Sequence, residues 1–234
     1  PAISNIVAST TSTQAHVEWY AVDGVYYDLY SSTNPFAASP VWATLQSGQQ
    51  GTGSLEQETD NGLGTAMKRF YRLALTGDSP GTNGLWGVIR KDVRASDYTL
   101  IAPPLRTDQR FDGGLGAMLA GPLSGNDDGP GGAGDEVVVL NGDGSWRTLY
   151  LDSAKVWRES NGDASTYVLA PGQGFMVRRS APSIARLTFS GAVGNDATQT
   201  NRIREGWNII GLSAGKTLQV KNALATASPV GGTS

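Results

Sequence analysis

The chain has no cysteine and a single histidine among its 234 residues. Without thiols there are no disulfides, no thiolate metal sites and no cysteine nucleophile. One imidazole likewise excludes a histidine-rich metal centre. Charged residues make up only 17% of the chain, against about 25% in an average soluble domain. Lys plus Arg number 18 and Asp plus Glu 21, a net charge of −3. That balance lacks the basic excess of a nucleic-acid or anionic-membrane binder. No apolar run reaches the roughly 18 residues of a membrane span. No secretory leader is visible, and Pro1 reads as the start of a processed or trimmed chain. What is abundant is glycine, 31 residues, or about 13% against a usual 7%.

The residues that remain are patterned as short strands between turns. Ala15–Trp19 alternates apolar and polar, Asp23-Gly24 signals a turn, and Val25–Tyr30 is aromatic and β-prone. Val41–Leu45 reads as a third strand and Gln46–Gly53 as a loop. In Lys68–Leu75, Phe70 shares a face with Arg72 and Ala74, while Tyr71, Leu73 and Leu75 line the other. Turns at this spacing predict a β-sandwich over the first 77 residues. The stretch Thr76–Gly84 has no apolar residue, so 78–84 reads as a linker. Beyond it, Leu85–Ile89, Tyr98–Ala102, Glu136–Leu140, Trp146–Leu151, Val156-Trp157, Tyr167–Leu169, Phe175–Val177 and Leu187–Phe189 are expected strands. Leu115, Met118 and Leu119, at i, i+3 and i+4, predict one short helix. The expected fold class is all-β: the sandwich, then a second sandwich or barrel over 85–234 with one or two short helices.

Two segments repeat one another. Asp97–Leu105 and Gly206–Ser213 each run from an aromatic through two aliphatics to a small residue and a stop, and each precedes a short helical patch. The second copy, from about 206, is followed by few residues and reads as cut short.

Val17-Glu18-Trp19, Tyr27–Asn34, Trp42 and Lys68–Arg72 together resemble the fibronectin type III-like modules of secreted bacterial proteins. The rest resembles a β-rich module of bacterial and archaeal surface proteins, through Gly206–Gly211, Pro171–Phe175, Gly134–Val137 and Trp157. This resemblance implies an exported, non-catalytic building block, secreted or held at the cell surface, with no catalytic residue to carry over.

The candidate chemistry is thin. His16 sits on the polar face of its strand, and no nucleophile elbow accompanies it. Asp127, Asp128, Asp135, Glu136 and Asp143 cluster in a glycine-rich stretch. Of these Asp127, Asp128, Asp135 and Asp143 are weak calcium candidates. A lone loop lacks the six to eight oxygens that calcium takes, so a solvated loop is favoured and no cofactor is expected. Trp19, Trp42, Trp157 and Trp207 lie in apolar strand contexts that suit cores. Trp86 and Trp146 flank glycine-rich turns and are the candidates for an exposed glycan platform.

These readings converge on a structural subunit of an extracellular layer, sheath or filament that binds copies of itself. The alternative is a carbohydrate-binding or adhesive module whose partners are cell-surface glycans. The uncharged run Ile3–Ala8 and an incomplete carboxy-terminal unit suggest strand or edge contacts between copies. Ile3, Ile6, Val7, Trp207, Ile209 and Val230 are the expected assembly residues. Removal of residues 1–8 is then expected to abolish assembly while leaving the fold intact.

Overall fold

Period-two alternation places one face in a core and the other toward water in strands such as Ala15–Tyr20 and Phe175–Arg178, whereas Glu136–Leu140 is buried on both faces. A computed structural model describes residues 2–8, 13–64, 66–79, 84–170, 172–194 and 208–209. The first seven strands are β1 (Ile3–Ala8), β2 (Ala15–Tyr20), β3 (Tyr26–Ser32), β4 (Ala43–Gln50), β5 (Leu55–Asp60), β6 (Lys68–Leu75) and β7 (Trp86–Val93). They form two antiparallel sheets, β1-β2-β5 and β4-β3-β6-β7, the latter extended past β7 by β13 (Ala185–Ala192). Between the sheets lie Ile3, Ile6, Ala15, Val17 and Trp19 from one side and Tyr27, Leu29, Tyr71, Leu73 and Val88 from the other. This is an immunoglobulin-like sandwich.

The expected boundary at 78–84 needs correction. That segment joins β6 to β7, which are hydrogen-bonded neighbours with Lys68 opposite Ile89 and Tyr71 opposite Trp86. The sandwich therefore takes its seventh strand from beyond residue 77. A polar, glycine-rich stretch reads the same whether it links two domains or joins two paired strands, and here the strands on either side of it pair.

Residues 98–178 stack a five-stranded sheet on the β7–β13 ribbon. Its strands are β8 (Tyr98–Ile101), β9 (Glu136–Leu140), β10 (Trp146–Leu151), β11 (Trp157–Arg158) and β12 (Phe175–Arg178), ordered β11-β10-β9-β12-β8. Val137, Val139, Leu149, Leu151, Phe175 and Val177 face Ala185, Leu187 and Phe189 of β13, with Leu115 and Leu119 of α1 (Gly114–Ala120) packed among them. Phe111 stacks edge-on to Trp157 at 5.6 Å. The Trp157 indole donates to the Gly116 carbonyl at 2.9 Å.

β7 and β13 thus serve both halves. Val88 points into the sandwich core, and Val93, Leu187 and Phe189 into the second core. A third cluster, Phe70, Leu85, Ile89, Leu105 and Val193, seals the seam. Two glycines make that seam possible. Gly87 and Gly191 are directly opposite in the ladder, and the 105–106 chain crosses over them. A Cβ on Gly191 would come within 2.3 Å of the Arg106 carbonyl oxygen, and one on Gly87 within 3.0 Å of the Phe70 ring.

Candidate functional site

The seam opens into a cleft of about 400 Å³ lined by Asn5, Trp86, Arg106, Asp108, Met118 and Ser190 among others. Its floor is the β7–β13 ribbon, where Trp86 and Ser190 lie on the face turned toward the sandwich interior. Asn5 reaches it from β1, and Arg106 from a crossing chain fixed by two backbone hydrogen bonds with Ala192, at 2.8 and 3.0 Å. Asp108 is held as a carboxylate. The Gly114 N–H, with the Arg110 N–H and guanidinium, keeps its carboxyl below the usual range. Asn5 already donates to Glu18 at 3.0 Å. The wall is one half-buried indole with amide, guanidinium, carboxylate and hydroxyl groups around it. That composition suits a polyol held by stacking and hydrogen bonds.

The calcium candidates are dispersed. Asp135 is fully buried and its oxygens are taken by the Arg179 guanidinium at 2.9 Å, the Ser124 N–H at 2.7 Å and the Ser180 N–H at 2.8 Å. Asp127 accepts from the Ser153 N–H and hydroxyl at 3.0 and 2.6 Å, which hold its carboxyl below the usual range. Asp143 fastens its own turn through the Ser145 N–H and hydroxyl at 2.9 and 2.6 Å. Asp128 is exposed beside Asp127. Among the described residues no three acidic or imidazole groups converge as metal ligands would.

The tryptophans separate by role. Trp19 and Trp157 are 1% and 2% exposed and belong to the two cores. Trp42, half-buried, packs against the cluster at the seam. Trp86 lines the cleft, while Trp146 lies on β10 in another sheet, 49% exposed. The two glycan candidates therefore do not form one row. His16 faces outward from β2 with its Nδ1 2.9 Å from the Thr59 hydroxyl.

Of the expected assembly residues, Ile3 and Ile6 are buried in the sandwich core, and β1 is paired with β2 of its own chain. Only Val7 of that trio is exposed, at 50%. Removing residues 1–8 would take Ile3 and Ile6 out of the core. Ile209 is described: its carbonyl accepts from the Gly174 N–H at 3.1 Å, and its side chain occupies the space a Cβ on Gly174 would need. Trp207 and Val230 lie outside the described residues, as does most of the second repeat copy.

No protein-family model matches the chain, and no curated protein matches it.

Proposed function

We propose that this chain is a non-catalytic structural subunit of an extracellular layer, sheath or filament, built from copies of itself. The observation that carries this reading is the β7–β13 ribbon. Eight consecutive residue pairs join the two strands; Val88 of β7 enters the sandwich core, while Val93 of β7 and Ala185, Leu187 and Phe189 of β13 enter the second core. Two modules on a linker flex independently; two modules sharing a sheet transmit force without a hinge. Such stiffness is what a load-carrying repeat needs and what a tethered binding module does not. The test is electron microscopy with sedimentation velocity on the full chain over a wide concentration range. Fibres or sheets are expected. A monomer at every concentration overturns the reading.

A second reading, a glycan-binding or adhesive module, is favoured by the Trp86 cleft. Titration with neutral oligosaccharides, followed by tryptophan fluorescence, should show a saturable change that Trp86→Ala removes. Absence of any saturable change rejects it.

A further inference from the structure

The loop end of the sandwich exposes several large apolar side chains. Tyr20 stands opposite Leu55 on the outer face of β2 and β5. The turn after β2 is tied to the turn before β5 by the Ala21 N–H to the Ser54 carbonyl and the Gly24 N–H to the Gly51 carbonyl, at 3.0 and 3.1 Å. Thr76, just past β6, donates its N–H to the Tyr26 carbonyl at 3.0 Å. Three loops therefore converge, and they carry Tyr20, Val22, Tyr26, Leu55 and Leu75 at 73%, 62%, 49%, 49% and 40% exposure. By the alternation of their strands Tyr20 and Leu55 leave the outer face of one sheet and Tyr26 that of the other, with Val22 in the turn and Leu75 opposite Tyr27 at the end between them. Exposed apolar groups thus ring this end of the sandwich, as at an interaction surface. Tyrosines among Gly, Ser and Thr are the composition of adaptable protein-binding loops. The charges here are of one sign: Asp23, Glu56 and Asp78, with no Lys or Arg among the described residues of 20–27, 50–56 and 75–79.

The opposite end of the same sheet is its counterpart. From Leu75 back to Lys68, across to Ile89 and on to Val93, the ladder runs eleven residue steps. That is roughly 36 Å at 3.3 Å per residue. There the turn 94–97 meets the loop 180–184, where the Arg179 N–H donates to the Asp97 carbonyl at 3.1 Å and its guanidinium to the Ser183 carbonyl. This end exposes Tyr98, Leu100 and Ile184 at 51%, 64% and 66%. Its charges lean positive. Arg186 and Asp92 pair with each other at 2.7 Å, leaving exposed Lys91 and Arg94 against Asp97.

We propose that copies of this chain join head to tail, the apolar, acidic loop end of one sandwich seated on the apolar, basic β7–β8 end of the next. The proposal rests on the structural-subunit reading and supplies its contact. Two different patches at opposite ends of one sheet make a heterologous interface, which grows into an open fibre unless its rotation closes a ring. The apolar groups supply affinity, while the opposed charges set orientation and the rate of encounter.

The experiment compares the wild-type chain with three variants: Asp23→Lys/Asp78→Lys, Lys91→Glu/Arg94→Glu, and all four substitutions together. A fourth, Tyr20→Ser/Leu55→Ser, removes apolar area without changing charge. All these side chains are exposed, so thermal melts should match the wild type. Assembly is read by sedimentation velocity and electron microscopy. Each two-site variant should raise the concentration needed for fibres at least tenfold, and the four-site swap should restore most of it. If the wild type forms fibres and every variant does so equally well, the contact lies elsewhere and the structural-subunit reading stands. If the wild type never assembles, that reading fails and takes the proposal with it.

Discussion

The two halves of this molecule bury carboxylates for different purposes. In the sandwich, Asp28 accepts the Gly48 N–H and the hydroxyls of Ser47 and Thr76 at 2.8, 3.0 and 2.9 Å. Asp60 accepts the Tyr71 hydroxyl at 2.9 Å, the Gly62 N–H at 2.7 Å and Arg69 at 2.7 Å. Each fastens one corner of a regular ladder. In the second half three carboxylates each hold an arginine: Asp135 with Arg179, Glu136 with Arg178 and Asp152 with Arg158. The pairs stitch loops. Their oxygens take the N–H groups of Ser124, Ser180, Gly131 and Val156. Their guanidiniums serve the carbonyls of Gly132, Gly162 and Ser183. A buried backbone group must find a partner. Strands supply one automatically, and the irregular stretches before β9 and after β10 do not. Ion pairs do in the second half what ladder bonds do in the first.

Breaking the most buried pair should give the largest effect. Asp135→Ala leaves the Arg179 guanidinium, 6% exposed, without its counter-charge and orphans two loop N–H groups. Removing one partner of a buried pair costs about 3–5 kcal/mol. Chemical denaturation should show that loss. Because β7 gives Val88 to one core and Val93 to the other, tryptophan fluorescence and far-ultraviolet circular dichroism should still report one transition. A loss below about 1 kcal/mol would show that loop stitching is dispensable.

The sandwich holds such a pair in Asp60 with Arg69, and leans more on packing. Ile6→Ala should cost about 2–5 kcal/mol, the usual range for truncating a buried aliphatic, since Ile6 is 2% exposed opposite Val17. Deleting residues 1–8 removes Ile3 as well and should cost more, read as a lower melting temperature. A deletion variant as stable as the intact chain would mean β1 is an accessory strand.

Much of this architecture is legible in the sequence, and the gaps have physical causes. β2 and β12 follow the apolar alternation, β3, β6, β9 and β10 follow their runs of aromatic and β-branched residues, and α1 follows the Leu115, Met118, Leu119 spacing. β5 does not, because Leu-Glu-Gln-Glu-Thr-Asp is an acidic edge strand with little to bury. β4 runs on to Gln50, through an expected loop, because Asp28 captures Ser47 and Gly48 from the neighbouring strand. Tyr167–Leu169 looks β-prone but makes only an isolated bridge, Val168 to Arg110. The cleft draws on residues 5, 86, 106–108, 118 and 190–192, a juxtaposition no local pattern encodes. The Asp135–Arg179 pair spans 44 positions and is equally invisible.

The seam between the halves gives a smaller effect with a geometric signature. Gly191→Ala places a methyl 2.3 Å from the Arg106 carbonyl oxygen, which is backbone and moves only with its chain. Overpacking of this kind costs about 1–3 kcal/mol. Met is bulkier, so Gly191→Met should cost more. Equal stability of the two variants would mean that the crossing chain lifts away freely and the halves are less tightly joined than the ladder implies.

The smallest effect distinguishes the two kinds of buried carboxylate by pH. Burial alone would raise the Asp28 carboxyl, but its bonds from Gly48, Thr76, Ser47 and Tyr30 outweigh that and lower it below 3.8. Burial likewise opposes Asp152, and the Val156 N–H and Arg158 again win. A carboxyl depressed by folding stabilises fully above its unfolded value, and the contribution drains away as pH falls through the folded one. Both halves should therefore lose stability below about pH 4, where carboxylates begin to protonate. Salt separates them. Asp28 is held by neutral donors, so its share should persist at 1 M salt. Asp152 leans on Arg158, which is 34% exposed, and partly exposed pairs are screened. Asp28→Asn should flatten the acid limb equally at low and high salt, whereas Asp152→Asn should flatten it more at low salt. The same salt response from both variants would erase the distinction between hydroxyl-held and guanidinium-held carboxylates.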